Sequence, residues 1–233
     1  MKKIPLAIFL LLFSTFSFAN SCVILLHGLA KSERDMRKLD EALVKEGFVT
    51  VNFDYDSRNF PIETLSLNVV PSAIEQCPKG AKINFVTHSM GGIVVRTYLA
   101  DHKIDNLGRV VMLGPPNQGS EVVDTYKNVP GFKQIGGPAG LQLGTGKMSV
   151  PNSIGAAEFD VGVIAGTRSI NLILSKFLPG KDDGKVTVER TKLKGMNDHI
   201  SMPVTHPFMM KNKKVIKQVI YYLKNGYFYR ESK

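Results

Sequence analysis

The alternation of short apolar runs with helical segments constrains the fold of this chain more than any other feature. Residues 22–26 form a continuous apolar run, which is typical of a strand buried on both faces. Residues 33–46 place Met36, Leu39 and Leu43 at helical spacing. Strands that alternate with helices build parallel sheets, so we expect an α/β protein with a mostly parallel sheet and helices on both faces. The predicted strands are 22–26, 48–53, 82–86, 109–113, 161–165 and 186–189, and the predicted helices are 33–46, 62–74, 90–100 and 215–223.

Length and composition favour one globular domain. The chain has 233 residues, of which 43% are hydrophobic, and this is enough apolar material for one sizeable core. Its 21 Gly and 12 Pro are too few for a collagen-like or low-complexity chain. Two cysteines exclude a disulfide-dense scaffold and a four-cysteine zinc site.

The first nineteen residues have the pattern of a secretory signal peptide. Lys2 and Lys3 precede an apolar run over residues 6–13, and small residues at Ser17 and Ala19 end the segment. A membrane anchor is the rival interpretation, but the stretch is shorter than the roughly 20 apolar residues that a span needs. A third interpretation makes Cys22 a lipoprotein cysteine. We therefore expect residues 20–233 to form the mature domain of an exported protein, periplasmic or secreted.

Export bears on the two cysteines of the chain. In an oxidising compartment Cys22 and Cys77 are expected to pair, and the alternative is two buried thiols.

Residues 114–160 interrupt the alternation of strands and helices. Glycine and proline recur there, as in Pro130-Gly131 and Gly136-Gly137-Pro138. A segment of this length within a compact domain is usually a functional lid or cap, or else an unstructured insert.

The residues that carry chemistry follow the strand predicted at 82–86. That strand runs directly into Thr87-His88-Ser89-Met90-Gly91-Gly92, and a helix follows at once. This is the context of a nucleophile elbow, a tight turn that presents one hydroxyl above the sheet. Small residues are needed two positions either side of the serine, because the strand and helix backbones nearly touch. Gly91 meets that need, whereas Thr87 makes a tighter fit than the usual glycine.

Together with the elbow, four further motifs make the sequence resemble the α/β-hydrolase superfamily, in particular its small bacterial lipases and esterases. His27-Gly28-Leu29 after the first strand is similar to the oxyanion loop of these lipases. The segment 113–120 looks like their turn after a later strand, and Asp183-Gly184-Lys185-Val186 looks like their acid loop. Thr205-His206-Pro207 stands just before the last helix, where the family keeps its histidine. The resemblance covers most of the mature chain and implies a single domain with the α/β-hydrolase fold.

The resemblance also implies a catalytic triad. Ser89 would be the nucleophile, His206 the general base and Asp183 the carboxylate that orients the histidine, in the chain order serine, acid, histidine. His199 is the alternative base. The alternative acids are Asp182, Asp160 and Asp198.

Two further expectations come from the same resemblance. The backbone N–H groups of Leu29 and Met90 would form the oxyanion hole. The strand order of the family would place the strand of Cys22 beside the strand predicted at 82–86, so that Cys22 and Cys77 meet at the sheet edge opposite the active site.

The sequence thus predicts an exported serine hydrolase that cleaves carboxylic esters, lipase- or esterase-like, through an acyl-enzyme at Ser89. One alternative is an acyltransferase or amidase with the same triad, and another is an inactive binding protein on the same fold. We expect a small-molecule or lipid ester as substrate, no cofactor or metal, and no nucleic-acid partner. The lysines of the last helix form a solvated face or contact an anionic membrane surface. They are Lys211, Lys213, Lys214, Lys217 and Lys224.

Overall fold

A computed structural model describes residues 20–170, 175–176 and 178–231 of the chain, and the predicted signal peptide lies outside them. The described residues build one domain around a six-stranded sheet in which every neighbouring pair is parallel. The strand order is β2-β1-β3-β4-β5-β6. The strands are β1 (Ser21–Leu26), β2 (Val49–Phe53), β3 (Lys82–His88), β4 (Leu107–Leu113), β5 (Val161–Gly166) and β6 (Asp198–Met202).

Helices cover both faces of the sheet, as the sequence predicts. The side chains of β1 alternate between the faces: Ile24 and Leu26 pack with α2 and α3, whereas Val23 and Leu25 pack with α1 and α8. Both sets are fully buried, because each face of the sheet is covered. The helices are α1 (Glu33–Lys45), α2 (Ile62–Glu75), α3 (Met90–Asp101), α4 (Glu121–Tyr126), α5 (Phe132–Leu141), α6 (Val150–Ser153), α7 (Val188–Thr191), a 3₁₀ helix (His206–Lys211) and α8 (Lys213–Asn225).

The strand order places a switch point between β1 and β3. The chain moves to β2 on one side of β1 and to β3, β4, β5 and β6 on the other. Loops that leave the carboxyl ends of β1 and β3 therefore diverge, and such a crevice is where open parallel sheets bind ligands. The two loops that begin there start at His27 and Ser89.

The last helix, α8, is amphipathic and has a defined start and stop. The side chain of Asn212 accepts hydrogen bonds from the N–H groups of Lys214 and Val215, and Gly226 ends the helix with a φ of 82°. Its apolar face lies against the sheet, while Lys213, Lys214 and Lys217 are exposed.

The segment at 114–160 carries three short helices, α4, α5 and α6, so the alternative of an unstructured insert does not hold. Arg96 of α3 anchors it from below. Its guanidinium, only 2% exposed, donates to the carbonyl and side-chain oxygens of Asn117 and to the carbonyls of Pro151 and Gly155, at 3.0 to 3.2 Å. Burial lowers the pKa of Arg96 to about 10.

The prediction of a strand at 186–189 is wrong. Residues 188–191 form α7 instead, because the side chain of Thr187 accepts a hydrogen bond from the N–H of Arg190 and caps a helical turn. The sixth strand lies further on, at Asp198–Met202, on the edge of the sheet beside β5. The sequence of that strand lacks a clear apolar pattern because most of its residues are only partly buried.

Cys22 and Cys77 form a disulfide with their Cα atoms 5.9 Å apart. Cys22 lies near the start of β1, which pairs with β3 as the family strand order implies. Because all strands run the same way, the disulfide lies at the edge opposite the carboxyl ends of the strands. No helix within the described residues is long and apolar enough to span a membrane.

Candidate active site

Ser89 occupies a strained turn between β3 and α3. Its φ is 54° and its ψ is −122°, a region that residues other than glycine rarely adopt. The turn is held because the N–H of Ser89 donates to the carbonyl of Leu113 at 2.8 Å. On the helix side, a Cβ at Gly91 would lie 2.7 Å from the carbonyl oxygens of both Leu26 and His27. Only glycine allows the helix to approach β1 so closely.

Thr87 makes the tight fit that the sequence predicts on the strand side of the turn. It is fully buried, and a Cβ at Gly92 would lie 3.1 Å from its hydroxyl oxygen. That hydroxyl has no hydrogen-bond partner among the described residues. The turn therefore contains a buried polar group that is not satisfied.

His206 stands beside Ser89. Its Nε2 lies 3.0 Å from the hydroxyl oxygen of Ser89, and its Nδ1 lies 2.7 Å from Oδ2 of Asp183. A carboxylate can only accept, so Nδ1 carries the proton and Nε2 is free to accept from the hydroxyl. The arrangement gives the serine a base of the correct tautomer.

Asp183 is completely buried but well compensated. Its Oδ1 accepts from the N–H groups of Lys185 at 3.0 Å and Val186 at 2.9 Å, while Oδ2 accepts from His206. The carbonyl of Asp183 also accepts from the N–H of His206 at 2.9 Å. A buried carboxylate with this many donors stays fixed relative to the histidine.

The alternative site residues have other partners. His199 lies in β6, where its Nε2 is 3.0 Å from the hydroxyl of Thr191. Asp182 accepts from Ser175 and from the N–H of Gly184. Asp160 binds Arg109 and Tyr222, and Asp198 binds Arg230.

His88 contacts the main chain of His206. Its Nε2 lies 3.0 Å from the backbone carbonyl of His206, and its side chain is 1% exposed. Burial, with the nearby His206, holds the pKa of His88 well below its usual range. The sequence places His88 directly before Ser89 in the elbow, but it does not predict the contact between His88 and His206.

The loop after β1 forms a second strained turn. Ala30 has a φ of 54°, and its N–H donates to the hydroxyl of Ser57 at 3.0 Å. The N–H of Lys31 closes the turn on the carbonyl of Gly28 at 3.2 Å. Within the described part of the chain, neither Leu29 nor Met90 has an acceptor for its backbone N–H. Both groups are therefore available to a ligand.

A cavity of about 450 Å³ opens over Ser89 and His206. Its wall is largely apolar, and the segment at 114–160 contributes about half of the apolar lining residues. Two lysines, Lys31 and Lys185, also line it, and sequence reasoning did not single them out. Ile135 and Ile170, at the rim, are 67% and 64% exposed. The main apolar lining residues are Val122, Val123, Phe132 and Leu143.

The sheet order and the serine turn at its switch point are typical of the α/β-hydrolase fold. A family model described as "Putative serine esterase (DUF676)" matches residues 19–112, less than half of the chain. No curated protein matches the sequence.

Solved structures of lipases and esterases share the fold. The mature lipase BlEst2 from Bacillus licheniformis is 21% identical with a TM-score of 0.71, over 88% of this chain and 92% of that one. Its propeptide form is 20% identical with a TM-score of 0.73, over 92% of this chain but only 52% of that one. A thermophilic esterase from Thermogutta terrifontis is 15% identical with a TM-score of 0.61, over 88% and 90%. The phospholipase PlaB from Legionella pneumophila is 18% identical with a TM-score of 0.61, over 74% and 45%.

Proposed function

We propose that the protein is an exported serine hydrolase that cleaves carboxylic esters through an acyl-enzyme at Ser89. The observation that carries the proposal is the continuous chain of hydrogen bonds from the Ser89 hydroxyl through His206 to Asp183, at 3.0 and 2.7 Å. The strained turn at Ser89, the buried carboxylate and the apolar cavity support the same conclusion.

The geometry gives each group a role in acyl transfer. The hydroxyl oxygen of Ser89 attacks the ester carbonyl while Nε2 of His206 takes its proton. The charge that develops on the carbonyl oxygen is stabilised by the N–H groups of Leu29 and Met90. Asp183 holds the imidazole in its tautomer and stabilises its charged form. His206 then gives the proton to the leaving alcohol, and the acyl group stays on Ser89.

Water completes the reaction by the reverse sequence. His206 takes a proton from a water molecule, the resulting hydroxide attacks the acyl carbonyl, and the proton returns to the Ser89 oxygen as the acid leaves. The apolar wall of the cavity suits an acyl chain, because burial of each methylene contributes about 0.8 kcal/mol.

Two further observations support export and an ester substrate. The predicted signal peptide at residues 1–19 agrees with the disulfide between Cys22 and Cys77, a bond that persists in oxidising compartments. Among proteins with the same fold are a lipase, an esterase and a phospholipase.

Labelling with a fluorophosphonate tests the proposal. The purified mature protein should take up one equivalent, located at Ser89 by peptide mass spectrometry, and should hydrolyse 4-nitrophenyl esters of graded acyl length. Ser89→Ala should lose both properties while keeping its unfolding transition, and Ser201→Ala, at an exposed serine of β6, should keep both. Folded wild-type protein that takes up no label would favour an inactive binding protein.

Adding an alcohol separates hydrolysis from acyl transfer. With glycerol present, a hydrolase should release mainly free acid. A product mixture dominated by the new ester would show an acyltransferase, and faster cleavage of a matched amide than of the ester would show an amidase.

A further inference from the structure

The accessible charges that line the active-site cavity are positive among the residues that the structure describes. Among the described residues that line it, the one carboxylate is Asp183, which is completely buried and bonded to His206. Lys31 and Lys185 are the charged side chains that remain. A cavity that takes only a neutral ester has no need of two cations in its wall.

Lys185 projects from a fixed point of the acid loop. Its N–H donates to Oδ1 of Asp183 at 3.0 Å, and its carbonyl accepts from the hydroxyl of Ser120 at 2.7 Å. The same carboxylate therefore positions both the histidine and the backbone of this lysine. Lys185 forms no ion pair within 4 Å with any carboxylate in the described parts of the chain.

The side chain of Lys185 is exposed where it lines the cavity, so its ammonium group is open to an anion. Partial burial lowers the pKa of Lys185, and the positive charge of Lys31 lowers it further, while Asp183 only partly offsets them. A negative group between the two lysines would relieve both effects, because an opposite charge nearby favours the charged form of each amine.

Lys31 projects from the strained turn after β1. Its ammonium lies 3.6 Å from Oδ1 of Asp35, but that same oxygen is 3.2 Å from the ammonium of Lys211. One carboxylate thus serves two cations, and the rim keeps a net positive charge. The two lysines of the cavity therefore come from the two loops that also carry Leu29 and Asp183.

Building on the proposed function, we propose that Lys31 and Lys185 bind an anionic group, phosphate or carboxylate, on the alcohol part of the ester substrate. The largest share of the apolar lining comes from a different part of the chain, the segment at 114–160, and takes the acyl chain. The alcohol leaves with a proton from His206, which is joined to Lys185 through the carboxylate of Asp183. The substrate class is an amphipathic ester with a negative charge close to the scissile bond.

Matched pairs of short soluble esters test this assignment without vesicles. The phosphate arm compares hexanoylglycerol 3-phosphate with hexanoylglycerol. The carboxylate arm compares 2-(hexanoyloxy)propanoate with its primary amide. The measured quantity is the ratio of kcat/KM for the anionic ester to kcat/KM for the neutral one. The arm with the larger ratio identifies which anion the site prefers.

We expect the wild-type ratio to be about tenfold or more in at least one arm, the size of one charge-assisted hydrogen bond. Lys185→Met and Lys31→Met should each reduce the ratio several-fold, and Lys185→Arg should retain most of it because the charge is kept. Lys217→Met is the matched control, because it removes the same charge from an exposed position on α8. It should leave the ratio unchanged.

Two outcomes overturn the assignment: a wild-type ratio near or below one in both arms, or a high ratio that neither lysine variant changes. Failure of the proposed function is seen separately. Calorimetric titration of the Ser89→Ala variant with the same esters measures binding without turnover. Tighter binding of the anionic ester that depends on Lys185 would support the assignment even if the wild-type protein hydrolysed neither ester, and equal binding would refute it.

Discussion

The ring of His88 donates a hydrogen bond to the backbone carbonyl of His206 across 3.0 Å. A carbonyl can only accept, so Nε2 of His88 carries a proton, and because burial lowers the pKa of the ring, Nδ1 stays unprotonated. That Nδ1 is buried and has no partner among the described residues. The residue next to Ser89 is therefore a neutral, fully enclosed histidine that fixes the main chain of the proposed base.

The buried His88 should make stability depend on pH. Its folded-state pKa is lowered, so a proton binds first to the unfolded chain, where histidine titrates near 6.5. The contribution of such a group to the free energy of unfolding is complete above that pH. It falls below that pH, by up to about 1.4 kcal/mol per pH unit for each group. Urea unfolding at pH 7.5, 6.5 and 5.5 should show a steeper decline for wild type than for His88→Gln.

His199 provides a second test of the dependence of stability on pH. Burial also lowers the pKa of His199, so the double variant with His199→Gln should show a flatter profile than His88→Gln alone. Identical slopes for wild type and both variants would contradict the assignment of a neutral buried ring.

Replacing His206 and His199 one at a time distinguishes the proposed base from the alternative base. His206→Ala should reduce kcat/KM for a 4-nitrophenyl ester by about 10⁴-fold or more, because the Ser89 hydroxyl then has no acceptor for its proton. His199→Ala removes a bond to Thr191 and should cost less than about tenfold. The reverse pattern would show that the base is misassigned.

The adjacent aspartates offer a matched pair for the acid. Asp183→Asn should lower kcat by about 10³- to 10⁴-fold, because an amide can donate to Nδ1 of His206 and favour the wrong tautomer. Asp182→Asn keeps an acceptor for Ser175 and Gly184 and should retain most activity. Comparable losses in steady-state assays of both variants would argue against Asp183 as the orienting carboxylate.

The unsatisfied hydroxyl of Thr87 predicts an unusual gain in stability. Thr87→Val replaces a buried hydroxyl that has no partner among the described residues with a methyl group of similar size. The free energy of unfolding should rise by about 1 kcal/mol, because the unfolded chain no longer loses a solvated hydroxyl on folding. Denaturant titration measures the change, and Thr87→Ser, which keeps the hydroxyl, should not be stabilised. A large destabilisation by valine would reveal a hydrogen bond at this position.

The disulfide should account for a substantial part of the stability. Cys22 and Cys77 are 55 residues apart, and closing a loop of this length stabilises a protein by about 4 kcal/mol in the chain-entropy model. The Cys22→Ala/Cys77→Ala variant should unfold at lower denaturant concentration, and a reductant should shift wild type but not the variant. Equal midpoints for oxidised and reduced wild type would contradict this expectation.

The sequence predicts the first five strands and the principal helices well because their residues are buried in regular patterns. The motifs also single out Ser89, Asp183 and His206, and the structure brings these three side chains together. The pairing of β1 with β3 agrees with the strand order that the resemblance implies. These features depend on local patterns that can be recognised in the sequence.

Other features do not follow from apolar patterns or motifs. Residues 186–189 resemble a strand because Val186, Thr187 and Val188 are β-branched, but the cap at Thr187 favours a helix. Helix α5 contains Gly136, Gly137 and Pro138, and it is interrupted at Gly137, whose φ is 59°. Packing against the rest of the domain overrides these poor helix formers. The positions of Lys31 and Lys185 in one cavity likewise follow from the assembled loops.

The close approach of Gly91 to the carbonyls of Leu26 and His27 shows which part of the active site tolerates no substitution. Side chains cannot be added there without moving β1, so a mutant library should spare the two turns that begin at the switch point. Val122, Phe132 and Leu143 line the same cavity but belong to neither turn. Changes in acyl-chain range can therefore be sought in the segment at 114–160 while the chemistry is left intact.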